Sequence, residues 1–209
     1  MKKKALVSVW DKSGIVDFCS ALVDRGYEIL STGGTKKVLE KNDIPVQSVS
    51  DLTGFGSMMD GRVKTLHPKV FGGILADREN ENHINDLNAI DAGLIDLVVV
   101  NLYPFVNQAV EKKLSLDKAI EFIDIGGPSM LRAAAKNHAS VIPICDSLDY
   151  TMYLDDYDLN HGNIPIEIRS KYAAKVFKIT SDYDSSIEKY LNLENRNKVF
   201  NEISLDSKK

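Results

Sequence analysis

The stretch "IDLVVVNLY", Ile95 to Tyr103, is the most strongly apolar run of this 209-residue chain. Strand-forming residues follow one another there without the alternation of a half-solvated strand, which is the pattern of a strand covered on both faces. Such a strand belongs in a parallel sheet with helices on either side. On its N-terminal side, "KALVSV" (4–9), "YEILST" (27–32) and "PVQSVSD" (45–51) are three further short strand signals. Between them Ile15, Cys19, Leu22 and Val23 share a helical stripe, and "GGTKKVLEKND" (33–43) is a helical run with Pro45 just beyond. "HINDLNAIDAGL" has Ile84, Leu87 and Ile90 at helical steps. On the C-terminal side a helical stretch through Leu116, Ala119, Ile120 and Ile123 precedes a Pro-started, Ala-rich helix, "GGPSMLRAAAKNHA" (126–139), and a strand, "SVIPIC" (140–145).

This rhythm predicts a doubly wound α/β fold, a mainly parallel sheet with helices on both faces, followed by C-terminal helices. Residues 1–146 form the sheet domain in this reading. Residues 147–192 form a helical extension, including one long amphipathic helix to Leu191, and the polar stretch 193–209 is a linker-like tail. Leu52 to Lys69 has no clean period and reads as a long functional loop.

The charge balance, 26 Lys and Arg against 30 Asp and Glu, argues against a nucleic-acid partner, which needs a pervasive basic face. An anion site must therefore be local, and "RVKTLHPK" (62–69) gathers cations in the long loop. No run approaches the roughly 20 apolar residues of a membrane span, so no membrane partner is expected. "MKKK" is followed by an apolar run that stops at Asp11 without a cleavage-like end. Cys19 and Cys145 lie in apolar segments, which fits a reducing compartment, with the cytoplasm as the default. The four histidines are scattered, so no structural metal is expected.

In such a sheet the ligand crevice lies beyond the carboxyl ends of the strands. "STGGT" (31–35) stands there, where glycines let the backbone approach a ligand and a helix N-terminus offers free N–H groups. It is neither a Walker loop nor a dinucleotide fingerprint. An ordinary capped turn explains it equally well. "DIGGPS" (124–129) opens a second helix, and the amides of Gly126 and Gly127 beside an aspartate would make an oxyanion site with a proton carrier. Ser129, Arg132 and Lys136 form a polar stripe on that helix, which in isolation reads as a solvated face. Pro104 in "NLYPF" serves as a plain strand stop, and His67 alone reads as structural.

Five segments in one order, "SVWDKSGIVDF", "EILSTGGT", "MMDGRVKTLHPK", "VVVNLYPF" and "IDIGGPSMLRAAAKNHA", closely resemble the IMP cyclohydrolase domain family, the N-terminal half of bifunctional purine-biosynthesis proteins. The similarity runs from about Lys4 to Leu191, and "STGGT" is shared with the wider methylglyoxal-synthase-like fold. The resemblance implies closure of the purine ring of FAICAR to IMP, without metal or nucleotide cofactor. It implies a homodimer and an AICAR transformylase domain normally fused after the C-terminus. Matched by position, Ser8, Lys12, Ser31, Thr32, Gly33, Gly34 and Thr35 would bind the phosphate and ribose end, with Arg62, Lys64 and Thr65 closing over the ligand. Asn101, Tyr103, Asp124, Gly126, Gly127 and Lys136 would surround the heterocycle. Lys64, Tyr103, Asp124 and Lys136 take the catalytic roles. Trp10, "FGS" at 55–57 and Phe71 depart from the family's usual serine, "FPE" and histidine. Two rival readings are a lyase acting on a triose phosphate, which would use the same "STGGT" cradle, and a non-catalytic regulatory module that binds IMP or a similar effector.

Overall fold

The structure, a computed structural model, describes residues 2–103, 105 and 114–206, with the backbone alone given for 193–206. Contacts group the chain into two compact units, Met1–Leu102 with Ile125–Phe177, and Tyr103–Asp124 with Lys178–Lys209. Pro104 lies outside the described residues.

The first unit holds the sheet. Its strands are β1 (Lys3–Val9), β2 (Tyr27–Ser31), β3 (Val46–Ser48), β4 (Leu97–Asn101) and β5 (Ile142–Ile144). They pair in the order β3-β2-β1-β4-β5, every ladder parallel. The unbroken apolar run of β4 is explained by position, because Leu97 to Val100 are all buried between helices as an inner strand. Helices α1 (Ile15–Asp24), α2 (Gly33–Lys41), α3 (Val49–Thr53), α4 (Pro68–Leu75) and α5 (Glu81–Ala89) fill the connections before β4. The sequence pattern runs the long loop to Lys69 and leaves 70–75, with Gly72 and Gly73, unassigned, whereas the structure starts α4 at Pro68. Those glycines answer a close approach, because a methyl on Gly73 would lie 2.5 Å from the Gly93 carbonyl oxygen.

The Ala-rich helix, α7 (Gly126–Lys136), packs on β4, β5 and α4, and its small residues Ala133, Ala134 and Ala135 are all buried. α8 (Tyr150–Leu159) and the start of α9 (Ile166–Asp206) belong to the same unit. With Ile164 of the connection between them, they supply Tyr150, Tyr153 and Tyr172 to the core cluster of Phe18, Leu22 and Tyr27. Phe18 stacks on Tyr150 at 4.2 Å between ring centroids, and the Tyr27 and Tyr153 hydroxyls share a 2.8 Å hydrogen bond. The change of pattern at Ser147 is thus a change of element type, and the contact grouping does not divide there.

The second unit contains α6 (Leu116–Ile120) and the later part of α9. Within it Tyr103 stacks on Phe122 at 5.3 Å and Phe105 meets Tyr190 edge-on at 5.3 Å. The backbone N–H of Asp124 donates to the Tyr183 hydroxyl at 2.8 Å. α9 stays helical to Asp206, where the polar pattern of 193–209 predicts a linker-like tail. Its Asn, Glu, Arg and Lys residues oppose helix formation only weakly. Residues 207–209 lie outside the described residues. Among the described residues no helix is long and apolar enough to cross a membrane.

Candidate functional site

The chain leaves β1 toward β2 and β3, then returns to β4 and β5 on the other side. The order reverses between β1 and β4, and the crevice beyond their carboxyl ends is where an open α/β sheet places a ligand. Val9 and Asn101 are the last pair of that ladder. The Asn101 side-chain oxygen accepts from the backbone N–H of Trp10 at 2.7 Å and of Asp11 at 3.0 Å. Its amide nitrogen donates to the Asp11 carbonyl at 2.8 Å. A residue assigned to the heterocycle by resemblance therefore ties down the loop that carries Lys12. The sequence signal for this role is a single asparagine that closes an otherwise apolar strand.

Lys12 turns back over the strand end and donates to the Trp10 carbonyl at 3.0 Å. Its ammonium reaches the "STGGT" turn, where a methyl on Gly34 would lie 3.8 Å from Lys12 Nζ. Gly33 sits at φ 56°, a left-handed conformation that an L side chain rarely adopts, so glycine opens α2 here for a geometric reason. Both glycines are exposed, and the first-turn N–H groups of α2 have no intrahelical acceptor. The three hydroxyls of the turn differ in use. Ser31 is fully buried and donates to the Val7 carbonyl at 2.7 Å. Thr35 Oγ1 accepts from Val9 N–H at 3.0 Å and lies 2.9 Å from the Val9 carbonyl, clamping α2 to the end of β1. Thr32, the N-cap residue, makes no side-chain cap bond and is partly exposed, so its hydroxyl faces fewer competing demands.

The long loop folds back on itself through an antiparallel bridge between Met58 and Val63. Met59, Asp60 and Gly61 at its tip all have positive φ. This reversal delivers Lys64 to the same turn, where a methyl on Gly33 would lie 4.0 Å from Lys64 Nζ. Thr65, next along, is buried, and its Oγ1 is 2.9 Å from where a Cβ on Gly126 would stand. One loop therefore joins both glycine-opened helix N-termini, α2 and α7. Among the described residues neither Lys12 nor Lys64 has a carboxylate within salt-bridge distance. Two ammonium groups beside two helix N-termini form a strongly anion-seeking surface. Asp11 is the nearest counterweight by sequence, and hydrogen bonds from the Ser13 hydroxyl and N–H hold its carboxyl below the usual range.

The remaining candidates are placed as follows. Ser8 is the penultimate residue of β1 and is partly exposed, and Arg62 belongs to the long loop. Gly127 is buried in the first turn of α7. Tyr103 and Asp124 belong to the second unit. Lys136 is exposed in the last turn of α7, about 15 Å along the axis from Gly126 at 1.5 Å per residue. The structure thus gathers Lys12, Thr32, Gly33, Gly34, Lys64, Thr65 and Gly126, and it sets Lys136 a full helix length from the α7 amides. His67 caps α4, its Nδ1 accepting from Lys69 N–H at 3.1 Å.

Comparison with known proteins identifies the family. Residues 14–129 match the model of the MGS-like domain, and residues 134–209 match that of the AICARFT/IMPCHase bienzyme. The chain is 50% identical over 191 residues to a bifunctional purine biosynthesis protein PurH of Bacillus cereus. It is 51% identical over 191 residues to the PurH of Bacillus thuringiensis subsp. konkukian. Each alignment covers 91% of this chain and 37% of the relative, so the chain spans little more than a third of those proteins. Among solved structures, the crystal structure of ForH superimposes with a TM-score of 0.78 at 35% identity, covering 90% of this chain and 98% of that one.

Proposed function

The chain belongs to the MGS-like domain family, and from that premise we propose that it is an IMP cyclohydrolase, closing the purine ring of FAICAR to IMP with loss of one water. The bienzyme match that begins at residue 134 and the 50% identity to PurH support this reading over other members of the fold. The observation that carries it is the meeting of Lys12 and Lys64, both free of carboxylates among the described residues, at the Gly33–Gly34 turn. A nucleotide monophosphate suits such a cradle, because its phosphate would neutralise both ammonium groups beside a helix N-terminus.

The chemistry joins a poor nucleophile to a poor electrophile. The carboxamide nitrogen attacks the formyl carbon, a C–N bond forms, and negative charge develops on the formyl oxygen. One carboxamide proton ends on that oxygen. The formamide nitrogen gives up the second proton as hydroxide departs, which balances the released water. In this reading the α2 amides, Thr32 and Lys12 hold the phosphate. Lys64 and the amides of Gly126 and Gly127 meet the developing oxyanion, where preorganised donors act most strongly. Asp124 takes the carboxamide proton and Tyr103 donates to the leaving hydroxide. Lys136 enters this reading only through the resemblance, as the partner of Asp124. The homodimer and the fused transformylase belong to the same proposal.

The test is an absorbance assay of FAICAR conversion with the purified chain. Steady IMP formation without added metal or nucleotide sustains the assignment. Phosphate release from dihydroxyacetone phosphate in place of IMP formation would replace it with the lyase. A melting temperature raised by IMP while FAICAR stays unconverted would replace it with an effector-binding module.

A further inference from the structure

The opposite edge of the sheet, where the strands begin, carries a second concentration of cations. A cavity of about 480 Å³ is lined there by Lys3 of β1, Tyr27 of β2, Asp96 just before β4, Arg78, Tyr157 and Arg169, among others. Its size falls within the range of small-molecule sites.

Its cations are held in place yet only partly neutralised. Arg78 donates Nη1 to Asp96 at 2.8 Å and Nη2 to the Ile95 carbonyl at 3.1 Å, while its Nε is buried with no acceptor. Arg169 donates Nε to the Ile164 carbonyl at 2.7 Å and Nη1 to the Ala139 carbonyl at 3.1 Å. Both acceptors are neutral. Burial, and then the nearby Arg78, hold the Arg169 guanidinium below its ordinary pKa. Lys3 donates to the Gly162 carbonyl at 2.6 Å and lies 4.7 Å above the Tyr157 ring. Three acids also line the space. Asp96 is shared between Arg78 and the backbone N–H of Lys4, at 2.7 Å. Asp77 is exposed and Glu79 lines the same rim, and Asp77 accepts from Glu79 N–H. Only Asp96 is bonded to one of the three cations among the described residues.

We propose that this cavity binds a compact oxyanion, a phosphate or carboxylate group carried on a small molecule, between Arg78 and Arg169. Arg169 keeps Nη2 without a partner among the described residues, the carbonyls that hold its other nitrogens leave its charge unneutralised, and Lys3 adds a third positive charge without a carboxylate of its own. The site is separate from the crevice in position and in residues. Its occupancy therefore does not depend on whether the chain closes purine rings.

Titration of the isotopically labelled full chain with inorganic phosphate, and separately with succinate, tests this by backbone amide shifts. Saturable shifts at Arg78, Ser140 and Asn163 with either probe are expected, and the probe that saturates identifies the oxyanion class. Arg169→Gln should weaken those shifts at least tenfold while leaving phosphate shifts at Gly33 and Gly34 unchanged. Arg169→Lys, which keeps the charge and loses the fork, should retain part of the affinity. If Arg169→Gln does not fold, the wild-type titration decides alone. Shifts confined to the Lys12–Gly34 edge, or a linear response without saturation at the cavity, would overturn the proposal.

Discussion

The two edges of one parallel sheet attract anions by different means. At the carboxyl edge Lys12 and Lys64 stand beside the N-termini of α2 and α7, so side-chain charge and backbone N–H groups act with the same sign. At the starting edge Arg169 and Lys3 donate to carbonyls that follow the C-termini of α7 and α8, so the backbone opposes the cations it holds. The contrast follows from topology. In a parallel sheet every connecting helix points its N-terminus at the carboxyl edge, and glycine there widens access to the amides. An anion at the carboxyl edge is bound largely by backbone that no point substitution removes, whereas one at the starting edge depends on a few side chains.

The largest expected effect separates binding from chemistry at the carboxyl edge. Lys64→Met should lower FAICAR turnover about 100-fold or more, the usual loss for one oxyanion donor, because Lys64 would act where charge develops. The side chain is exposed, so stability should change by no more than about 0.5 kcal/mol. Near-normal turnover in single-turnover measurements would remove Lys64 from the oxyanion role. The next largest effect concerns the loop that joins the two helix starts. Gly126→Ala places a methyl 2.9 Å from Thr65 Oγ1, so Thr65, the buried neighbour of Lys64, must give way, and the position of Lys64 is expected to change with it. Turnover should drop roughly tenfold to a hundredfold, as expected for misplacement by a fraction of an ångström to an ångström. Gly34→Ala meets Lys12 Cε at 3.6 Å, an ordinary contact, and should be the milder of the pair. Equal losses in both would mean that the α2 and α7 ends are not coupled through residues 64 and 65.

A third substitution probes how the crevice is built. Thr35→Val keeps the side chain's shape but leaves the buried N–H of Val9 without its acceptor. The loss should be about 1–3 kcal/mol in urea denaturation, the penalty of an unsatisfied buried donor. If stability is unchanged while phosphate affinity collapses, the hydroxyl serves the ligand and the clamp between α2 and β1 is incidental.

The same contrast explains which features are legible in the sequence. The strands are readable because β4, covered on both faces, advertises itself as "LVVV", and the order of glycine-opened helix starts marks the carboxyl edge. Lys12, Lys64 and the glycine pairs are readable because a resemblance fixes local strings. The roles of Ser31, Thr35 and Asn101 are not. A hydroxyl or amide at a strand end can serve a ligand or a neighbouring backbone, and only the fold shows the Val7, Val9 and Trp10 groups within reach. The starting-edge cavity leaves no local signal at all, since Lys3, Arg78, Asp96 and Arg169 are united by strand register and helix packing alone. α4 is hidden for a related reason, as Gly73 is what its packing against Gly93 requires and Gly72 makes room for Leu87.

The smallest expected effect tests how far the positive field of the carboxyl edge extends. Cys145 follows β5 at that edge, and a thiol in a broadly cationic region would be pulled down toward reactivity. Burial instead pushes Cys145 up to about 12; Lys175 lowers it, but Asp149 and Asp146, which Lys175 binds at 2.7 and 2.8 Å, act in the opposite direction. At pH 8 a thiol of that pKa is about 0.01% thiolate, whereas an ordinary cysteine is roughly a quarter ionised. Native-state alkylation with iodoacetamide at pH 8 should therefore leave Cys145 unmodified on the timescale that labels the unfolded chain completely. Cys19, also pushed up to about 12 by burial, serves as the internal control far from any cation cluster. Labelling of Cys145 at a rate near that of the unfolded chain, with Cys19 still protected, would show that the anion-seeking field spans the whole carboxyl edge. Protection of both is the outcome that burial and the two carboxylates around Lys175 predict, and it leaves the unneutralised Lys12 and Lys64 as the cations of this edge open to an anion.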